Sequence, residues 1–141
     1  MADKIRRADY QYVHVPDKPG EGARILGALK EAGVNLLSLT AYPDGKGTTQ
    51  IDFVTENADG LAKAAKSLGL KLSEKKRAFF IQGDDRAGAA AEVFKKLADA
   101  GVNVHATNAT AGARGGFGMI VWVRPESYDK AAKALGLGAT M

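Results

Sequence analysis

The sequence predicts an α+β protein built from two β-α-β-β-α-β units in tandem, each an antiparallel sheet with its helices on one face. The first observation is an internal repeat. The stretches Asp17–Gly20 and Ala32–Asn35 recur, with two changes in the first, as Asp85–Gly88 and Ala100–Asn103, 68 residues later in both cases. The second observation is that strand-like and helix-like segments follow one another in the same order in both halves. A repeat in register over this length indicates a duplicated structural unit.

The first half contains a complete set of predicted elements. Alternating β-forming residues predict a strand over Tyr10–Val15, which Pro16 ends. Apolar residues at helical spacing from Glu21 onward, stopped by Gly33, predict a helix. The remaining predicted elements are strands over Leu36–Tyr42 and Thr48–Thr55 with a hairpin turn at Pro43–Gly47, a helix from Asn57 to Gly69, and a fourth strand over Leu70–Lys75.

The second half follows the same plan with one shortfall. Predicted strands cover Ala78–Gln82, Asn103–Thr110 and Phe117–Arg124, with a hairpin turn at Gly112–Gly116, and predicted helices cover Ala89–Ala100 and Glu126–Leu135. Only Leu137–Met141 follow Gly136, so we expect the second unit to lack a full fourth strand. A segment from elsewhere in the chain, or a second chain, is expected to take its place. The two units are predicted to cover residues 8–75 and 76–141.

The last predicted strand is apolar on both faces. Ile120 and Trp122 point to one side, while Met119 and Val121 point to the other. We therefore expect the face away from the helices to be covered as well, most simply by a second copy of the protein. This pattern predicts a homodimer.

Composition restricts the classes of function. The 141 residues carry a formal net charge of +4 and include no cysteine, which excludes disulfides, thiolate metal sites and cysteine nucleophiles. No apolar run approaches the ~20 residues that span a bilayer, and the charged start of the chain does not resemble a signal peptide. We expect a cytoplasmic protein. The basic cluster around Lys75 is interpreted as a solvated connector between the halves.

The turn before each first helix is the best candidate for chemistry. A glycine at Gly20 or Gly88 allows a ligand to approach the backbone closely, and the first N–H groups of a helix favour a carboxylate or phosphate. Asp17 and Asp85 begin the same turns and could bind an ammonium group. Together these features suit the backbone end of a free amino acid. The alternative is that the aspartates only cap turns and the glycines only allow the bend.

These stretches resemble the ACT domain, a small module of ferredoxin-like fold that binds amino acids and regulates metabolic enzymes. The resemblance extends from Tyr10 to Leu137. The first turn matches the family's Asp-Arg-Pro-Gly with Lys18 as a basic exchange, and the second has Ala87 where proline is usual.

The resemblance implies an effector site between paired units, formed by the turn of one unit and the start of the second strand of its neighbour. Carried over, the ligand-binding residues are Asp17, Pro19, Gly20 and Asn35 for the first site, and Asp85, Ala87, Gly88 and Asn103 for the second. The identity of the amino acid, and whether one or both sites bind, stay open. Because the sequence shows no attached catalytic domain, we expect a free-standing regulator without a cofactor, acting on a metabolic enzyme or a transcription factor.

The sequence leaves three alternatives to an amino-acid sensor. A single-stranded RNA-binding module has the same element order, and Phe80 and the stretch Gly116–Trp122 are similar to its stacking motifs, although Met119 replaces a central aromatic residue. Catalysis is not favoured, because no metal spacing, carboxylate pair or nucleophile arrangement is evident. A protein-interaction module without a small ligand is the third.

If the protein is an amino-acid sensor, the residues that could line a pocket between units are Ser38, Thr40, His105, Thr107 and Asn108.

Overall fold

The structure is a computed structural model that describes residues 3–138. Its strands are Lys4–Pro16 (β1), Ser38–Pro43 (β2), Thr48–Val54 (β3), Lys76–Asp84 (β4), Ala106–Ala111 (β5) and Gly116–Trp122 (β6). Its helices are Glu21–Glu31 (α1), Ala58–Ser67 (α2), Ala89–Asp99 (α3) and Tyr128–Ala134 (α4), the last preceded by a 3-10 turn at Pro125–Ser127. Residues 139–141 of the predicted C-terminal stub lie outside the described residues.

The chain divides into two compact units, one of residues 9–76 and the other of residues 3–8 together with 77–138. Strand β1 therefore contributes to both. Its last residues belong to the first unit, and its first residues belong to the second unit.

In the first unit, the strands lie in the order β2-β3-β1 and are antiparallel. Helices α1 and α2 pack on one face, where a buried cluster includes Val13, Ile25, Leu29, Phe53 and Leu61. This arrangement follows from the sequence, because the apolar faces of both helices and alternate strand residues must leave water together.

The predicted fourth strand of the first unit, Leu70–Lys75, is not a strand in the structure. The segment runs beside β1, where Ser73 N donates to Tyr12 O at 2.9 Å. The returning bond is different, since Tyr12 N donates to the Ser73 hydroxyl at 2.9 Å and not to a backbone carbonyl. The side chain thus interrupts the backbone ladder that a strand would need.

In the second unit, the strands lie in the order β4-β6-β5, and the first residues of β1 lie beside β4. Ile5 packs against the core of this unit, and the Arg6 guanidinium lies 5.1 Å from the centroid of the Phe80 ring. A segment from elsewhere in the chain therefore stands where the fourth strand was missing. The predicted fold class of two ferredoxin-like units, the second without a full fourth strand from its own C-terminal end, is confirmed.

The face of the β4-β6 pair that lies away from the helices is not open to solvent. Phe80, Ile120 and Trp122 are 6%, 2% and 7% exposed within the single chain. The expected cover is thus present without a second copy, which removes the apolar face as an argument for a homodimer. The homodimer itself stays a prediction.

Candidate functional site

The first turn joins β1 to α1 and is held at the tip of the β2-β3 hairpin. Asp17 N donates to Gly47 O at 3.0 Å, and the Asp17 carboxylate accepts from Thr49 Oγ1 at 3.0 Å. Gly20 has φ of 93°, a left-handed conformation that favours glycine, and it immediately precedes the helix. Asp17, Pro19 and Gly20 are all exposed, so the structure presents these three predicted residues together at one surface.

The hairpin tip below this turn is itself fixed by Asp44. Its carboxylate accepts from the Thr48 hydroxyl and from Lys46 N, the latter at 2.8 Å. The hydrogen bond from Thr48, followed by that from Lys46, lowers the pKa of Asp44, so its carboxylate stays ionised to a lower pH than usual. These hydrogen bonds stabilise the hairpin tip to which the turn is bound.

The second turn, between β4 and α3, repeats the geometry. Asp85 N donates to Gly115 O at 2.8 Å, and Gly88 has φ of 84°. Ala87 takes the place of Pro19, and Ala89 N donates to Arg86 O as Glu21 N donates to Lys18 O in the first turn. Asp85, Ala87 and Gly88 are exposed, as their counterparts are in the first unit.

The helices that follow the turns begin without a side-chain cap. Gly20 and Gly88 occupy the capping positions of α1 and α3, and a glycine has no side chain to accept from the first amides. Helix α2 is different, because the Asn57 side chain accepts from Gly60 N at 2.9 Å. The starts of α1 and α3 thus leave room for an external anion, while that of α2 does not.

The predicted asparagines lie at the other end of each unit. Asn35 is exposed, and its carbonyl accepts from Thr55 Oγ1 at 2.7 Å beyond the far end of β3. Asn103 is exposed at the corresponding place after α3. Helix α1 has 11 residues and so separates Gly20 from Asn35 by about 16 Å. A unit's own turn and asparagine are therefore not brought together around one small ligand.

The basic residues of the two turns differ. Lys18 is exposed, and its ammonium group has no ion-pair or hydrogen-bond partner among residues 3–138. Arg86 instead pairs with Asp3 and Glu92, and the hydrogen bonds from these two carboxylates raise the pKa of Arg86. Sequence reasoning missed this cluster. Asp3 is 83 residues away from Arg86, and no local pattern connects them.

In the first unit, the face of the sheet away from the helices carries a polar cluster that the sequence did not reveal. Asp52, only 6% exposed, lies between Thr40 and Tyr12 in the strand register. Burial raises its pKa, against a hydrogen bond from Gln50 Nε2 at 3.0 Å. Burial together with the nearby Asp52 also raises the pKa of Tyr10 to about 12. This face is chemically distinct from its counterpart in the second unit, where Ile120 replaces the aspartate.

The residues suggested for a pocket lie on or beside β2 and β5. The hydroxyl of Thr107 donates to Ile120 O at 2.8 Å, and His105 and Asn108 are exposed. Ser38 and Thr40 are half-buried. Within the described residues, no group of three histidine or carboxylate side chains is placed to hold a metal ion. In the same part of the chain, every helix is too short or too polar to cross a bilayer.

Part of the sequence matches a known protein family. Residues 12–69 match the family model of the ACT domain. The chain contains an ACT domain. The matched residues lie within the first unit, and the second unit repeats the same element order and turn geometry.

Relatives of this ACT-domain protein are connected with aspartate kinase. An aspartokinase from Corynebacterium efficiens is 31% identical over 86% of the chain. The chain spans about a third of the length of that relative, 31%. A protein from Bacteroides thetaiotaomicron has a similar structure, with a TM-score of 0.80, 17% identity, and coverage of 94% of this chain and 88% of that one.

The regulatory subunit of aspartate kinase from Thermus thermophilus is also similar. Its TM-score is 0.65 at 17% identity, with coverage of 95% of this chain and 94% of that subunit. At such identities the likeness establishes the fold. Together with the family match, it shows that the chain has the fold of an ACT module.

Proposed function

We propose that this protein is a non-catalytic sensor that binds a free amino acid at one or both of its β-to-α turns. The observation that carries the proposal is the shared geometry of the two turns. In each, a left-handed glycine leaves the start of a helix uncapped, and an anchored, exposed aspartate stands three residues before it. The helix start suits a carboxylate and the aspartate suits an ammonium group, which are the two groups that every free amino acid carries.

Each proposed site is composite. The turn residues of the first site are Asp17, Pro19 and Gly20. Those of the second site are Asp85, Ala87 and Gly88. Asn35 and Asn103 each contact a ligand that is held by the turn of a neighbouring unit. The ~16 Å that separates the turn from the asparagine within a unit supports this assignment. A site shared between units links ligand binding to their arrangement, because a ligand favours whichever arrangement binds it better.

The partner that we propose is a metabolic enzyme of amino-acid synthesis. Support comes from the relatives, which include a regulatory subunit of aspartate kinase and an aspartokinase. A catalytic chain of the aspartate kinase type is therefore the first partner to test, by co-purification with and without amino acids.

The RNA-binding alternative receives no support from the geometry. Base stacking needs exposed aromatic rings, whereas Phe80 and Trp122 are buried. A single-stranded RNA is nevertheless a useful control ligand.

The first test is a thermal-shift screen of the purified protein against each of the twenty L-amino acids. A ligand that binds only the native state raises the melting temperature. We expect a rise with one or a few amino acids and none with single-stranded RNA. A rise with RNA alone would contradict the sensor, and no rise with any amino acid at millimolar concentration would leave a protein-interaction module as the better description.

The second test uses Asp17→Ala and Asp85→Ala. If an aspartate holds a desolvated ammonium group, its loss weakens binding at that site by about 1–3 kcal/mol, which is roughly 5- to 150-fold. Asp9→Ala, an exposed aspartate on β1 outside both turns, is the matched control. Unchanged affinity in both turn variants, measured by titration calorimetry, would refute the ammonium role.

A further inference from the structure

We propose that the chain's own N-terminal segment closes the second turn, so that only the turn at Asp17–Gly20 accepts a free amino acid. This inference rests on the proposed function and adds the regulation of its two sites. It begins with Asp3, whose carboxylate binds the Arg86 guanidinium through two bonds, Nη1 to Oδ1 at 3.1 Å and Nη2 to Oδ2 at 3.2 Å. The Asp3 side chain is only 11% exposed.

The donors of Arg86 are almost all in use. A guanidinium has five N–H donors. In addition to the pair with Asp3, Nη1 donates to Asp84 O at 2.8 Å and Nη2 donates to Glu92 Oε2 at 2.6 Å. Four of the five directions are therefore filled, and the Phe117 ring lies 6.0 Å from the guanidinium carbon. A further carboxylate would find no bidentate partner here.

The charge around Arg86 also opposes an anionic ligand. Two carboxylates, Asp3 and Glu92, surround one guanidinium, so this cluster has a net negative charge. Glu92 lies in the first turn of α3, at the helix end that would otherwise attract the ligand's carboxylate. The carboxylate of an amino acid approaching this turn meets repulsion in place of attraction.

The first turn presents the opposite situation. Lys18 occupies the position of Arg86, and its three N–H donors have no partner among the described residues. Residues 70–75, which run beside β1 in the first unit, form no ion pair with it. The first turn therefore keeps a free cation beside an uncapped helix, and the second turn has already bound a carboxylate from its own chain.

The test is the number of binding sites, measured by equilibrium dialysis against each of the twenty L-amino acids. The wild type is expected to bind one molecule per chain, and Asp3→Ala two. Asp3→Asn keeps the size of the side chain and is expected to behave like Asp3→Ala. Asp9→Ala, an exposed aspartate on the strand that follows Asp3, should stay at one. Two sites in the wild type, or one site in both Asp3 variants, would overturn the proposal.

A second measurement separates this inference from the proposed function. The Arg86 Nε–H resonance, assigned by its loss in Arg86→Lys, can be followed while sodium acetate is added. We expect the resonance to move in Asp3→Ala and to stay fixed in the wild type. A shift in the wild type, or in neither protein, contradicts the closure of this turn. Failure of all amino acids to bind would instead refute the sensor, and the acetate result would still decide the role of Asp3.

Discussion

Gly60 offers a direct test of how the first unit is packed around its predicted asparagine. It lies in the first turn of α2, where a Cβ atom would stand 2.6 Å from Val34 Cγ2 and 2.7 Å from Asn57 Nδ2. Val34 immediately precedes Asn35, so the absence of a side chain at Gly60 lets α2 approach the segment that carries this residue. Gly60→Ala is the perturbation.

The expected magnitude is a balance of opposing effects. Alanine gains about 1 kcal/mol over glycine inside a helix. Against this, overpacking a buried contact costs about 1–3 kcal/mol, and displacing the Asn57 cap costs about 1 kcal/mol. Val34 is buried and cannot simply move into solvent. The net result is a loss of about 1–3 kcal/mol, which lowers the melting temperature by about 4–12 °C.

The assay is urea or thermal unfolding, with Gly27→Ala as the matched control. Gly27 lies inside α1, and a Cβ there would meet no atom within 4 Å, so we expect this variant to gain about 0.5–1 kcal/mol. Adding Val34→Ala to Gly60→Ala should cost less than the sum of the two single changes, because the clashing methyl group is gone. If Gly60→Ala stabilises the protein as much as Gly27→Ala does, the reasoning is wrong.

Two further predictions concern buried polar groups. Burial raises the pKa of Asp52 above its value near 3.9 in the unfolded chain, so stability falls as the pH rises between these two values. Asp52→Asn removes the ionisable group and with it this decrease in stability. We expect the variant to melt at a higher temperature than the wild type at pH 7 and at the same temperature at about pH 3.5. A lower melting temperature of the variant at pH 7 would contradict the raised pKa of Asp52. Tyr128→Phe removes the hydrogen bond from the buried hydroxyl to Ala78 O at 3.1 Å but keeps the ring stacked on Phe79, with centroids 4.5 Å apart. We therefore expect the free energy of unfolding in urea to fall by about 1 kcal/mol. A fall as large as that of Tyr128→Leu would show that the hydroxyl contributes more than the stacked ring.

Local patterns predicted the turns and helices well. Gly20 and Gly88 were identified as turn glycines because the repeat places each before a helical pattern, and both adopt left-handed φ values. Helices α1 and α3 begin and end within a residue or two of the predicted positions, since their apolar spacing and terminal glycines are local signals.

Features that depend on distant parts of the chain were not predictable. The charged residues from Lys4 to Asp9 show no strand pattern, and they form a strand because β4 lies beside them in the second unit. Conversely, Leu70–Lys75 has strand-like alternation, but the Ser73 hydroxyl takes the place of a backbone acceptor. The burial of Trp122 and the pairing of Asp3 with Arg86 likewise depend on contacts that no sequence window contains.

The division of β1 between the units has a consequence during synthesis. Residues 3–8 leave the ribosome early, but β4, the strand beside them, ends only at Asp84. At about 5–20 residues per second, roughly 4–15 s pass before β4 exists. Throughout this interval the segment is an unpaired strand, the kind of segment that invites association with other chains. Its positive charges, on Lys4, Arg6 and Arg7, repel such association, so the charges that hide the strand pattern in the sequence also protect the nascent chain until β4 is made.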